Sequence, residues 1–141
     1  MMNKTSPQTT STQMKIRVLC VDDHDLLRDG IRISMLTYSD IELVGEARSG
    51  EDALRLCEEL LPDVVLMDMQ LPRMSGIETT KAIRAAHPEV QIVVLTSFVE
   101  DALVQEAIQA GAVGYLSKGA SRVELADACV PAIGRPRQPS L

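Results

Sequence analysis

The sequence lacks two features that would each assign it to a class of protein. No apolar run approaches the length of a membrane span, and the first fourteen residues have no apolar stretch of the kind found in signal peptides. Positive charge is also not in excess, since the formal net charge is -6, and this disfavours direct nucleic-acid binding by the chain. These absences predict a cytoplasmic protein that does not bind a membrane.

Cysteine is scarce and follows no metal-binding or disulfide pattern. Cys20, Cys57 and Cys129 are odd in number and widely spaced, and no CxxC motif is present. Each lies in an apolar segment, where cysteine behaves as a small hydrophobic residue. We therefore expect three free core thiols, which is typical of a reducing compartment.

The 141 residues have room for one domain of common size. Residues 1–14 are polar and rich in threonine and serine, a composition that predicts a disordered N-terminal tail. Residues 15–130 form the predicted domain. Residues 131–141 contain three prolines and a glycine, so the last helix should end near Pro131 and leave an irregular tail.

Short β-branched runs alternate with longer amphipathic runs throughout the predicted domain. The predicted strands are IRVLCV, IELVGEA, DVVLMDM, VQIVVLT and VGYLS, and a helical run follows each of them. The pairs Ser49/Asp52 and Ser121/Glu124 have the spacing of capped helix starts. This alternation predicts an α/β fold with five parallel strands and five helices on both faces, a doubly wound sheet.

Acidic residues stand where two of these strands end. Asp22 and Asp23 follow the first strand, and Asp68 ends the third. In flavodoxin-like sheets, with strand order 2-1-3-4-5, the general rule places ligands beyond the carboxyl ends of the first and third strands. Clustered carboxylates repel one another and take up protons unless a positive group lies among them. A divalent cation with oxygen ligands, or a nearby lysine, meets that need.

The next two strands end in further polar groups. Thr96 closes the fourth strand and offers a hydroxyl group, and Lys118 follows the fifth and offers an ammonium group. Acids, a hydroxyl and a lysine at neighbouring strand ends predict a phosphoryl-transfer site. We assign Asp68 as the nucleophile that forms an aspartyl phosphate.

Four segments resemble the receiver domain of bacterial two-component response regulators. They are DDH at 22–24, MDMQLPRMSG at 67–76, TS at 96–97 and GYLSK at 114–118. The resemblance covers about residues 15–130, and DDHDLLRDGI and AGAVGYLSKGAS are most similar to the NarL/FixJ (LuxR-type) subfamily. It implies a CheY-like fold and a sensor histidine kinase as the donor of the phosphoryl group on Asp68.

The resemblance also implies a role for each site residue. Asp23, Asp68 and the backbone carbonyl of Gln70 would bind Mg²⁺, and Asp22 would bind it directly or through water. Thr96 and Lys118 would contact the phosphoryl oxygens.

Further positions would govern switching and dephosphorylation. Movement of Thr96 would be coupled to the rotamer of Tyr115, and the switching surface would comprise the fourth helix, fifth strand and fifth helix. Gln70 and Phe98 occupy positions that tune dephosphorylation in this family. The protein would be a phosphoacceptor with at most slow autophosphatase activity.

The sequence indicates less about the process that the protein controls than about its phosphoryl-transfer site. NarL/FixJ proteins usually continue into a helix-turn-helix DNA-binding domain, and none is recognisable after residue 130. The expected output is control of transcription through such a domain, which is absent from these residues. That domain would make the only contact with DNA. The alternative is a natural single-domain receiver that acts by protein contact. Self-association would give a symmetric homodimer.

The sequence disfavours two other functions and one other metal ligand. A haloacid dehalogenase-type phosphatase needs an acid two residues after the nucleophile, where Gln70 stands. A module that binds partners without phosphorylation does not need the acid, hydroxyl and lysine set, so the presence of that set argues against such a module. His24 has no second histidine nearby in the sequence, so a polar residue at a helix start is favoured over a metal ligand or phosphohistidine.

Overall fold

Five parallel strands form one sheet in the order β2-β1-β3-β4-β5 in the computed structural model, which describes residues 15–97 and 101–132. The strands are β1 (Ile16–Val21), β2 (Ile41–Ala47), β3 (Val64–Asp68), β4 (Gln91–Thr96) and β5 (Gly114–Ser117). The helices are α1 (Asp25–Met35), α2 (Gly50–Leu60), α3 (Gly76–Ala86), α4 (Asp101–Ala110) and α5 (Arg122–Ala132). The predicted fold class is confirmed. The 1–14 tail, Phe98 and residues 133–141 lie outside the described residues.

Both faces of the sheet are covered, as the nearly continuous apolar runs predict. Alternate residues of β3 point to opposite faces. Val65 and Met67 pack in a core with residues of α2 and α3, and Val64 and Leu66 pack in a second core with residues of α1 and α5. The sheet is therefore a layer between two cores.

Helix starts carry the caps that the sequence predicts. Ser49 Oγ accepts from the Asp52 amide at 3.1 Å, and Ser121 and Glu124 exchange two side-chain-to-backbone bonds, of 2.8 and 3.1 Å. A third cap of the same reciprocal kind joins Ser75 to the helix residue three positions later, and it was not predicted. These caps place the starts of α2, α3 and α5.

The winding of the chain reverses at the centre of the sheet. From β1 the chain crosses to β2 on one side and then returns to β3 on the other. The turns that leave β1 and β3 therefore run in opposite directions and leave a crevice between their carboxyl ends. Within the described residues, no helix is long and apolar enough to cross a membrane.

The three cysteine thiols lie in the core, as predicted. All three are free and buried. Burial raises the pKa of Cys20 and of Cys129 to about 12, and that of Cys57 to about 11. Their thiols are therefore protonated and unreactive in the folded protein.

Candidate functional site

The register of the sheet places the polar strand ends side by side. Val21 of β1 pairs with Met67 of β3, so the acids that follow each of them are neighbours. On the other side of β3, Asp68 pairs with Leu95, directly before Thr96. One end of the sheet thus collects the acids and the hydroxyl that the sequence analysis selected.

Lys118 reaches into the acid cluster from beyond β5. Its Nζ lies 3.0 Å from Asp68 Oδ1 and 3.1 Å from Asp22 Oδ2. Its amide donates to the Thr96 carbonyl at 2.9 Å, which holds the lysine backbone against β4. Asp22 and Asp68 are essentially inaccessible to solvent. The predicted positive group therefore lies between the two buried acids.

Burial and charge shift the pKa of both Asp68 and Lys118. Burial raises the pKa of Asp68; the Gln70 amide and Lys118 lower it, Asp22 raises it, and the net shift is upward. For Lys118, burial by itself lowers the pKa, but contact with Asp68 and then with Asp22 outweighs burial and raises it. The lysine is therefore held in its charged form, while Asp68 pays a desolvation cost that a further cation would reduce.

The donors at the site fit a hard divalent cation. Ligand atoms of Asp22, Asp23, His24 and Asp68 all lie within 4.8 Å of one another. Among the described residues, Oδ2 of Asp68 is buried and makes no hydrogen bond, and Oδ2 of Asp22, also buried, has the Lys118 ammonium at 3.1 Å as an ion-pair partner but no hydrogen bond. A buried carboxylate oxygen without a hydrogen bond, such as Oδ2 of Asp68, is costly and favours a positive partner. Carboxylate ligands are those that Mg²⁺ prefers.

Two of the residues predicted to bind metal are more open to solvent. The Asp23 side chain is 39% exposed, although it belongs to the cluster. Gln70 is exposed, and its amide donates to Asp68 Oδ1 at 3.0 Å. The backbone at Gln70 is thus placed directly against the Asp68 carboxylate.

His24 lies at the start of α1, as predicted, but its ring contacts the acids. It is the N-cap residue and makes no side-chain cap bond. Its amide donates to Asp22 Oδ1 at 2.8 Å, and its Nδ1 lies 2.7 Å from the same oxygen and 3.4 Å from Asp23 Oδ1. The adjacency in the DDH motif was the available signal for this contact.

A pocket of about 130 Å³ opens beside Asp68. Its polar lining is Asp68, Gln70, Thr96, Ser97 and Lys118, and its apolar lining is Met69, Ile77 and Leu103. Thr96 is buried at the end of β4. The structure therefore brings the predicted nucleophile, hydroxyl and lysine together around a pocket beside the Asp68 carboxylate.

Tyr115 lies apart from this pocket. It is on β5, 46% exposed, and is not among the residues that line the space beside Asp68. The other predicted tuning residue, Phe98, lies outside the described residues.

Arg28 is a site neighbour that the sequence analysis missed. It is buried, and its Nη1 donates to the Asp22 carbonyl at 2.7 Å. The signal was its position in α1, where it occupies the same buried face as Ile31 and Met35. An arginine on a core-facing stripe is unusual and indicates a specific buried partner.

Comparisons with known proteins agree with this geometry. The family model described as "Response regulator receiver domain" matches residues 18–129. The chain is 44% identical over 113 residues to the response regulator GacA of Pseudomonas viridiflava, covering 80% of this chain and 53% of GacA. The chain thus spans about half the length of the curated relatives it matches.

Solved structures show the same likeness. The signal receiver domain of the response regulator NarL from Mycobacterium tuberculosis has a TM-score of 0.81 and 36% identity, covering 86% of this chain and 98% of that one. A LuxR-family DNA-binding response regulator from Staphylococcus aureus has a TM-score of 0.78 and 25% identity, covering 84% and 99%. The chain therefore belongs to the response regulators of two-component systems, and residues 18–129 are a CheY-like receiver domain most similar to the NarL/FixJ subfamily.

Proposed function

We propose that Asp68 is the phosphoacceptor of this receiver and that a sensor histidine kinase is its donor. The observation that carries the proposal is the buried Asp68 carboxylate beside a pocket, paired with Lys118 through Oδ1 and given no hydrogen bond at Oδ2 by the residues that the structure describes. In the transfer, an Asp68 oxygen bonds to phosphorus while the bond from phosphorus to the donor histidine nitrogen breaks. The nitrogen keeps the electron pair.

Each of the site residues would have a distinct role in that transfer. Asp22, Asp23, Asp68 and the Gln70 carbonyl would hold Mg²⁺, which when bound neutralises charge on the transferring oxygens. Lys118 would move its contact from Asp68 to a phosphoryl oxygen, since its Nζ already lies 3.0 Å from the carboxylate.

The hydroxyl of Thr96 would contact another phosphoryl oxygen, supported by its place in the lining of the pocket. Its movement would be transmitted to Tyr115 on β5, and the contact surface formed by α4, β5 and α5 would change. Gln70 and Phe98 would tune the rate of dephosphorylation. Residues 15–130 would form the whole receiver unit.

The proposed output is control of transcription. The relatives whose names support it are response regulators, one of them described as DNA-binding, and the present chain spans only about half of GacA. DNA contact would be made by a helix-turn-helix domain outside the receiver, and a symmetric homodimer would form through the receiver. A cytoplasmic location, without membrane binding, fits a histidine kinase as the donor.

The protein would act as a switch and not as a turnover enzyme. The exposed Gln70 offers no acid two residues after Asp68, so hydrolysis of the aspartyl phosphate should be slow. A module that works without phosphorylation would be favoured only if Asp68 proves inert, whereas a single-domain receiver that acts by protein contact would still be phosphorylated on Asp68.

Intact mass measured before and after incubation with Mg²⁺ and acetyl phosphate tests the proposal. The parent protein should gain one phosphoryl group, and Asp68→Asn should gain none. Asp40→Asn, which alters an exposed acid outside the site, should behave as the parent. An unmodified parent under every condition, or an Asp68→Asn variant modified to the same extent, would contradict the assignment.

A further inference from the structure

Arg28 is a buried charge whose position is not explained by the acid and lysine cluster. Its side chain is only 9% exposed, because it lies on the face of α1 that packs on the sheet. A charged group at such a position is costly unless hydrogen bonds satisfy it. The partners of Arg28 should therefore reveal what the residue does.

The guanidinium of Arg28 joins three segments of the chain. Nη1 donates to the Asp22 carbonyl in the β1–α1 turn at 2.7 Å, and Nε donates to Glu46 Oε1 of β2 at 3.2 Å. Nη2 donates to Asp25 Oδ1 at the start of α1. A planar guanidinium suits this arrangement because its donors point in several fixed directions at once.

These bonds fix the main chain of Asp22 from both sides. Its amide donates to the Ala47 carbonyl of β2 at 3.0 Å, and its carbonyl accepts from Arg28, which in turn binds Glu46. Because Glu46 and Ala47 are consecutive, the end of β2 anchors both main-chain groups of Asp22. The main chain that carries the Asp22 side chain and leads directly to Asp23 is therefore held at both of its hydrogen-bonding groups.

We propose that Arg28 is a positioning residue for the cation site, holding the main chain of Asp22 so that the two acids of the β1–α1 turn face Asp68. The inference rests on the proposed cation-dependent function of those acids. Partners of ligand residues are typically needed for metal affinity because they orient the ligands.

Arg32 provides a matched control. It binds the same Glu46, at 2.8 and 3.2 Å, together with Asp29, but is 46% exposed and its described bonds do not reach Asp22. Replacing either arginine by methionine keeps an unbranched apolar chain and removes one partner of Glu46. Only replacement of Arg28 removes the bond to the Asp22 carbonyl.

The test is a Mg²⁺ titration of the parent, Arg28→Met, Arg28→Lys and Arg32→Met, followed by NMR through the amide shifts of Asp68 and Met69. Urea unfolding and the NMR spectra establish that each variant is folded. Arg28→Met should weaken Mg²⁺ binding roughly tenfold. Arg28→Lys should recover part of the affinity, since one ammonium cannot serve all three oxygen groups. Arg32→Met should bind as the parent.

Parent-like affinity in folded Arg28→Met, or equal losses in the Arg28 and Arg32 methionine variants, would overturn the inference. If Arg28→Met fails to fold, Arg28→Lys decides: weakened binding supports the role, and parent-like binding in that variant overturns it. A parent that binds no Mg²⁺ would instead remove the cation site on which the inference rests, so the two failures are distinguishable.

Discussion

The centre and the β5 edge of the sheet carry different halves of the site. Every residue of β3 and all but one of β1 are buried, whereas all four residues of β5 are half-buried or exposed. The acids stand at the buried centre, while Lys118 and Tyr115 belong to the edge. One site is thus assembled from a tightly packed part and a loosely packed part.

This difference bears on how a phosphorylated receiver changes shape. Regions with few buried apolar contacts open at lower free energy than core strands. The acids should therefore stay in place while the edge adjusts to a new charge at Asp68. Substitutions and labelling in the two parts should therefore differ in their effects.

Gly76→Ala should have the largest effect, because a Cβ there would lie 2.1 Å from the Asp68 carbonyl oxygen and 2.8 Å from Met69 Cα. Both atoms belong to backbone at the centre, so no flexible side chain can move aside. We expect a loss of more than about 4 kcal/mol in the free energy of unfolding, measured with urea. Gly114→Ala on β5, where the added Cβ would have no atom of the described residues within 4 Å, should lose less than about 0.5 kcal/mol. Equal losses would contradict the comparison.

Leucine truncations compare packing directly. Leu66 of β3 is fully buried, whereas Leu116 of β5 is half-buried. Leu66→Ala should lose about 3–4 kcal/mol of unfolding free energy, and Leu116→Ala about 1–2, because the cavity left at the edge is partly open. Urea denaturation measures both, and an equal or larger loss at Leu116 would show that the edge is packed as tightly as the centre.

Removal of the Lys118 charge should cost about 2 kcal/mol, because Asp22 and Asp68 would then be buried without their cation. Added Mg²⁺ should restore part of the loss.

The stabilisation by Lys118 should also depend on pH. Since contact with the acids raises the pKa of Lys118, its contribution to the free energy of unfolding is present below the ordinary lysine pKa and disappears as pH rises through the folded-state pKa. Thermal unfolding of the parent and of Lys118→Met across this pH range measures the difference. The exposed-site control Lys81→Met should change little, and a Lys118→Met variant as stable as that control would exclude a structural role for the ion pairs.

Thiol alkylation compares local opening of β1 with that of α5, the helix that packs on β5. Cys20 of β1 and Cys129 of α5 are equally buried, and burial raises the pKa of both to about 12, so neither should react while it is buried. Each thiol reacts when its segment opens and exposes it, and the difference in rate reports how often each segment opens. We expect Cys129 to react faster with iodoacetamide, by about tenfold for each 1.4 kcal/mol of difference in opening free energy. Peptide mass spectrometry measures this, and equal rates would mean that the domain opens as one unit.

Tyr115→Phe should have the smallest effect on stability, below about 0.5 kcal/mol, because the residue is 46% exposed. Phosphorylation by acetyl phosphate should be unchanged, since Tyr115 does not line the pocket. Unfolding and intact mass check the two expectations. A loss above about 1 kcal/mol would reveal a native contact of the hydroxyl and place Tyr115 with the centre.

Much of the architecture could be predicted because the relevant signals are local. The periods of the apolar runs placed each strand within one or two residues of its observed bounds, and the spacing from Ser121 to Glu124 located a cap. The acids, Thr96 and Lys118 were selected because parallel strands end at one edge. Arg28 was missed because its charge suggested a solvent-facing residue, whereas its partners come from β2 and the β1–α1 turn.

The α/β alternation, the family and the set of polar strand ends could be read from the amino-acid order alone, since periodicity, turn chemistry and motif spacing are local along the chain. The fold was needed to show that Lys118 bridges Asp22 and Asp68, that the His24 ring contacts the acids and that Arg28 anchors Asp22. Those contacts join segments far apart in the chain or depend on side-chain direction. Packing of the sheet and its helices sets both.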